Sequence, residues 1–201
     1  MWIFGYGSLL WYTNFPYIQS VPGFVRGYVR RFWQASPDHR GTPEKPGRTV
    51  TLVPQETGEV WGIAYRIADE IVDDVLKYLY WREKAGYECK TVQFYPRSDV
   101  KMDPFPLQLF MSRGEGTEYF VTGESEDEIA RRVCLIVSSS GPSGTNIEYV
   151  LRLAKRLHEI GPESNDEHVE RIAKLVLSLC QELKIKDPDL TDYIKDALTK
   201  G

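Results

Sequence analysis

The sequence is poor in the residues that build metal centres and disulfide scaffolds: its 201 residues include three cysteines and three histidines. Cys89, Cys134 and Cys180 are odd in number, far apart, and without a CxxC pair or neighbouring histidines. This pattern argues against a zinc site and for reduced thiols, as expected in the cytosol. Long apolar runs are missing too. No stretch of some 18 apolar residues occurs, and the chain opens on Met-Trp-Ile-Phe-Gly with neither a basic stretch nor an apolar leader, so a cytosolic protein with no membrane partner is expected. Positive charge is not in excess either: 25 Lys and Arg face 29 Asp and Glu, for a net charge of −4. Without a polycationic face there is nothing for a phosphate backbone to condense on, and nucleic acid is not an expected partner. Repeats and low-complexity segments are also absent.

What the chain does have is apolar and aromatic content, 42% and 12% of residues, at a length that supports one compact domain. The first half is rich in short β-branched and aromatic runs: residues 2–4, 25–33, 48–53, 59–67, 90–95 and 107–112 read as strands. Pro54-Gln55-Glu56-Thr57-Gly58 reads as a hairpin between two of them, and residues 41–47, with two prolines and two glycines, as a loop. One helix is expected from about Asp69 to Ala85. The second half is helical, with capping-box patterns at Ser125-x-x-Glu128 and Thr145-x-x-Glu148 and a third helix opening at Asp166. Strands followed by helices predict an α+β domain built on a small mixed β-barrel with helices packed outside, and a C-terminal helical extension from about residue 163. From Lys184 to Gly201 the tail becomes more charged, as a docked last helix or a fraying end.

Helical periodicity singles out one carboxylate. Advancing about 100° per residue from Val72 puts Val75, Leu76 and Leu79 on one apolar stripe, and Glu83 falls about 20° from Val72, in the middle of that stripe. Burial there disfavours its charge, and so does the negative end of the helix dipole, because Gly86 is a natural terminator. Both effects raise a carboxyl toward the range useful for proton transfer. The other reading turns Glu83 outward to pair with Arg82 or Lys84.

A second feature is Phe4-Gly5-Tyr6-Gly7-Ser8-Leu9, directly after the first apolar strand. Two glycines around a tyrosine are expected to allow positive φ and to leave several backbone N–H groups facing one side, suited to a carboxylate or phosphate. Alternatively the segment is a tight structural turn, since it lacks the third glycine of a dinucleotide fingerprint and the lysine of a P-loop. The run Asp38-His39-Arg40, with Arg48, is a candidate source of cations for a substrate carboxylate, the alternative being an ordinary solvated charged loop. Residues 141–146 precede a helix, and Tyr149, one turn into it, is a candidate to face the site. His158 and His168 read as surface or packing residues.

Together, residues 4–11 (Phe-Gly-Tyr-Gly-Ser-Leu-Leu-Trp), 30–34 (Arg-Arg-Phe-Trp-Gln), 38–43, 46–48, 60–65, 82–87 (Arg-Glu-Lys-Ala-Gly-Tyr) and 141–149 (Gly-Pro-Ser-Gly-Thr-Asn-Ile-Glu-Tyr) resemble the ChaC family of glutathione-specific γ-glutamylcyclotransferases, over roughly residues 1 to 160. The resemblance implies a γ-glutamylcyclotransferase-like barrel, glutathione as substrate, no cofactor or metal, and Glu83 as the catalytic acid/base. It also implies that residues Ile3 to Ser8, with Leu9, hold the glutamyl moiety, and Arg40 and Arg48 are guesses for the far end of glutathione. Tyr80-Trp81 departs from the family pattern and is expected to reshape the pocket wall. The oxyanion donor is either a loop N–H or the Tyr6 hydroxyl. Two rival readings remain, a cyclotransferase for other γ-glutamyl amides and a non-catalytic γ-glutamyl-binding module. Monomer and homodimer are both open.

Overall fold

The computed structural model describes residues 1–37, 39–82, 87–114, 116–135 and 144–186. Five strands close a barrel in the order β1-β3-β2-β4-β5: β1 Trp2–Gly5, β2 Gln19–Ser36, β3 Gly47–Arg66, β4 Tyr87–Pro96 and β5 Phe105–Ser112. Neighbours are antiparallel except where β1 meets β5 in parallel through Ile3 and Gln108. Closure removes the exposed edges that an open sheet of this size would have to protect. Among the described residues four α-helices accompany the strands: α1 Val72–Arg82, α2 Glu126–Leu135, α3 Asn146–Ile160 and α4 Glu167–Glu182.

The expected hairpin at Pro54–Gly58 does not form. The segments on both sides of it belong to one strand, β3, and pair with the same partner, β2. Arg26 lies opposite Glu59 and Tyr28 opposite Pro54, so Gly27 alone on β2 faces four residues of β3. Gly27 takes φ +85°, a conformation open to glycine, and this lets β2 bend while β3 loops outward and resumes. The turn signal was real, but the chain leaves its strand there without reversing.

Local caps fix where the later helices start. Ser125 Oγ accepts the Glu128 N–H while the Glu128 carboxylate accepts the Ser125 N–H, a reciprocal capping box. Thr145 and Asp166 cap α3 and α4 by accepting from the Glu148 and Val169 N–H groups. These helices then bury broad apolar faces. Ile129 and Val133 of α2, Val150, Leu153 and Leu157 of α3, and Val169, Ile172 and Val176 of α4 lie in one core with Phe4, Val25, Phe32 and Leu109 of the barrel. Cys134 on α2 and Cys180 on α4 are buried 3.9 Å apart within it, and the three cysteines form no disulfide. A second, smaller core joins Val75 and Leu79 of α1 to Ile3, Tyr65, Ile67 and Phe110, which docks α1 against the β1 side of the barrel.

Candidate active site

The segment after β1 is pinned from several directions. Ile3 and Phe4 remain in the ladder, opposite Tyr65 and Ala64, and their buried side chains belong to the two cores. The chain leaves the ladder at Tyr6 and winds into a single 3-10 turn, Ser8–Leu10, with Leu10 N–H on the Gly7 carbonyl. The Tyr6 hydroxyl donates to the Phe110 carbonyl at 2.9 Å, and the Tyr65 hydroxyl donates to the Leu9 carbonyl at 2.8 Å. Burial pushes the Tyr65 phenol well above its ordinary value, so it stays protonated and able to donate. The Gly7 N–H has no acceptor among the described residues.

The glycines serve a different purpose from the one expected. Neither Gly5 nor Gly7 has positive φ; Gly7 sits at φ −125°. Both positions are crowded instead. A Cβ on Gly5 would come within 2.9 Å of the Tyr65 ring, and one on Gly7 would lie 3.1 Å from the Tyr149 hydroxyl and 3.2 Å from Val50 Cγ2. Tyr149 therefore does come to this loop. It is buried, its hydroxyl accepts the Val50 N–H at 3.2 Å, and its ring meets Trp11 and Phe32 edge-on.

The two arginines expected at the far end of the substrate are committed internally. Arg48 is buried and forks onto Glu124, with Nε at 2.9 Å and Nη2 at 3.0 Å from its oxygens. Its backbone is held by the Asn146 side chain, which accepts the Arg48 N–H at 2.7 Å and donates to the Arg48 carbonyl at 2.8 Å. Burial works against the Glu124 charge, but the hydrogen bonds from Arg48 and Arg132 outweigh it and hold the carboxyl below its usual value. Arg40 is also buried. Its Nη1 reaches Glu148 at 3.0 Å and the Thr145 carbonyl at 2.9 Å, and its guanidinium lies 5.4 Å from the centre of the Tyr149 ring. Arg40 thus ties its own loop to the start of α3, while Arg48 ties β3 to Glu124, just before α2, and to the start of α3.

A third arginine, outside the site candidates that the sequence offers, is buried beside them. Arg30 is 1% exposed and spends each of its three nitrogens on one acceptor: Nε on the Tyr6 carbonyl at 3.0 Å, Nη2 on the Trp61 carbonyl at 2.6 Å, and Nη1 on Asp166 at 2.7 Å. Strand alternation carried the signal, because period two puts Arg30 on the same face as the buried Phe32. Its partner, 136 residues away, left no trace in the sequence. His168, beside Asp166, is also a packing residue: its Nε2 accepts the Phe32 N–H at 3.2 Å and its Nδ1 lies 2.9 Å from Glu126. His158 is at the surface, 2.6 Å from Glu170.

Glu83, like Asp38 and residues 141–143, lies outside the described residues. The helix that leads to it is described. Val75 and Leu79 are buried on the expected stripe, and the Tyr80 ring, at the end of that helix, meets Phe110 edge-on with centroids 5.4 Å apart. Phe110 is the residue whose carbonyl takes the Tyr6 hydroxyl, so the last turns of α1 and the glycine segment share one neighbour.

A family model described as ChaC-like protein matches residues 1–179. The chain belongs to the ChaC-like family. Among its relatives, the rat glutathione-specific γ-glutamylcyclotransferase 1 is 43% identical over 181 residues, covering 89% of this chain and 79% of that one. The glutathione-specific γ-glutamylcyclotransferase of Schizosaccharomyces pombe is 36% identical, covering 84% and 88%. An Arabidopsis thaliana γ-glutamylcyclotransferase, 2-3, is 38% identical over 197 residues, covering 95% and 96%. A crystal structure of the γ-glutamyl cyclotransferase specific to glutathione from yeast superposes with a TM-score of 0.79 at 27% identity, covering 89% of this chain and 96% of that one. The fold is therefore the γ-glutamylcyclotransferase-like barrel of the ChaC-like family. The match runs past residue 160, where the motif resemblance stops, and takes in Asp166, His168 and most of α4.

Proposed function

We propose that the protein cleaves glutathione by intramolecular cyclisation of its γ-glutamyl group, releasing 5-oxoproline and cysteinylglycine. The observation that carries this reading is the pinned glycine segment, whose Gly7 N–H has no acceptor among the described residues, sharing Phe110 with the helix that leads toward Glu83. The relatives named as glutathione-specific cyclotransferases support it.

The substrate brings its own nucleophile, the glutamyl α-amine. Backbone N–H groups of the Tyr6–Leu9 segment bind the α-carboxylate and keep the glutamyl chain bent, which converts ring closure into a reaction between groups already in place. The α-ammonium gives one proton to solvent to become the attacking amine; Glu83 takes a second proton from that nitrogen as it bonds to the γ-carbonyl carbon, then passes it to the nitrogen of cysteinylglycine as the amide C–N bond breaks. The Tyr6 hydroxyl is spent on the Phe110 carbonyl, which leaves loop N–H groups as the oxyanion donors. With Arg48 forked onto Glu124, we assign it no substrate contact. Arg40, held by Glu148 and the Thr145 carbonyl, is likewise given no substrate contact, and cysteines that form no disulfide fit a cytosolic setting.

Release of 5-oxoproline from glutathione by the purified protein tests substrate and reaction together. Glu83→Gln should lower kcat by about 100-fold or more while leaving the thermal midpoint near that of the wild type. A folded Glu83→Gln enzyme with near wild-type turnover would remove the centre of the mechanism. Equal rates on glutathione and γ-glutamylalanine would contradict the specificity, and glutathione binding without turnover would make the protein a binding module.

A further inference from the structure

Arg30 is an expensive residue to keep. Its guanidinium is almost fully buried within the barrel wall, where desolvation of a charge outweighs what an ion pair alone returns, and an aliphatic side chain of similar volume would serve packing as well. What the aliphatic side chain could not do is hold three fixed acceptors at once. Two of them are backbone carbonyls, Tyr6 and Trp61, and the third is a carboxylate that already has a task. Asp166 Oδ1 caps α4 through the Val169 N–H, while Oδ2 takes Arg30 Nη1. The start of α4 is thereby linked through one guanidinium to the first residue of the glycine segment.

The geometry of a peptide unit gives that link a consequence. In a trans peptide the C=O of one residue and the N–H of the next lie in one plane and point in opposite directions. Fixing the Tyr6 carbonyl on Arg30 Nε at 3.0 Å therefore also fixes the direction of the Gly7 N–H, which points away from Arg30 and finds no acceptor among the described residues. A half-turn of this one peptide would present a carbonyl oxygen to a substrate carboxylate in place of a donor. Glycine at position 7 has no Cβ to resist that turn, so the restraint has to come from a neighbour.

We propose that Arg30 is a positioning residue for the substrate segment: by holding the Tyr6 carbonyl it aims the Gly7 N–H at the α-carboxylate of the γ-glutamyl group, and Asp166 holds Arg30 in place. This rests on the reading above that the Tyr6–Leu9 segment binds that carboxylate. Arg30 touches no reacting atom. Its loss weakens recognition of one group of the substrate.

The test compares glutathione with its analogue carrying a carboxamide in place of the glutamyl α-carboxylate. The wild-type enzyme should prefer glutathione by about 10- to 100-fold in kcat/KM, the worth of a charge-assisted hydrogen bond. In Arg30→Met the preference should shrink to within about threefold, through a raised KM for glutathione and an unchanged KM for the amide, with Arg30→Lys intermediate. Asp166→Asn keeps a competent helix cap and should lose part of the preference, which decides the matter if Arg30→Met does not fold. A wild-type enzyme indifferent to the amide would overturn the assigned role of the segment itself. A wild-type preference that survives undiminished in folded Arg30→Met, or in Asp166→Asn where Arg30→Met is unfolded, would overturn the role of Arg30 alone.

Discussion

Replacing Gly7 by alanine is a sharp test of why the glycine segment is built as it is. If glycine were there for backbone freedom, the cost of Gly7→Ala would not depend on neighbouring side chains. The structure says it does: the new methyl would lie 3.1 Å from the Tyr149 hydroxyl and 3.2 Å from Val50 Cγ2, closer than carbon and oxygen rest comfortably, and overpacking of this kind costs about 1–3 kcal/mol. Tyr149→Phe alone removes the hydroxyl that accepts the buried Val50 N–H at 3.2 Å, and should cost about 1–3 kcal/mol by leaving that donor unpaired. Combined, the second change makes room for the first. The double variant should therefore be more stable than the sum of the two losses by about 1 kcal/mol or more, measurable as a double-mutant cycle from urea midpoints. On thermal melting the coupling corresponds to roughly 2–4 °C. Additivity within about 0.5 kcal/mol would refute the packing explanation and return the glycine to a purely conformational role.

Other consequences can be checked with the same assays. Glu124→Gln strips the buried Arg48 of its charge partner and should cost about 3 kcal/mol, or roughly 6–12 °C in Tm; a shift below about 1 °C would show that the pair contributes nothing. His168 should make stability depend on pH. Burial lowers its pKa although Glu126 opposes this, and Nε2 accepts the Phe32 N–H, so the folded protein favours the neutral ring. The unfolded chain then takes up more protons as pH falls below about 6.5, and the stability held above that pH is lost toward and through the lowered folded value, at no more than about 1.4 kcal/mol per pH unit. The gap in unfolding free energy between wild type and His168→Gln should narrow from pH 7.5 to 5.5; a gap independent of pH would refute the assignment.

The features legible in the sequence were those set by neighbours along the chain. The Ser125–Glu128 box, the Thr145 and Asp166 caps and the α1 stripe of Val75 and Leu79 each depend on residues within one or two helical turns. Pro54–Gly58 misled because a turn sequence states that the chain leaves its line, and only the partner strand decides whether it comes back. There the decision fell to Gly27, more than twenty-five residues upstream. The glycine segment was found but its reason was not, since the crowding comes from Tyr65 and Tyr149, which approach through the fold. Arg40, Arg48 and Arg30 show the same limit. All three are cations in motif-like surroundings, and what distinguishes them is a carboxylate supplied from at least 76 residues further along the chain.

The parallel contact between β1 and β5 has a bearing on how the molecule comes into being. Within the barrel, β1 is synthesised before the other four strands but cannot take its final place until residues of β5 exist, because its second flank is Gln108. The Tyr6 hydroxyl waits for Phe110, 104 positions later, and Arg30 waits 136 positions for Asp166. Such distant closures slow folding, and they order it: the segment synthesised among the earliest acquires its working shape among the last. A nascent chain halted before α4 would carry every residue of the glycine motif and still lack the brace that fixes it.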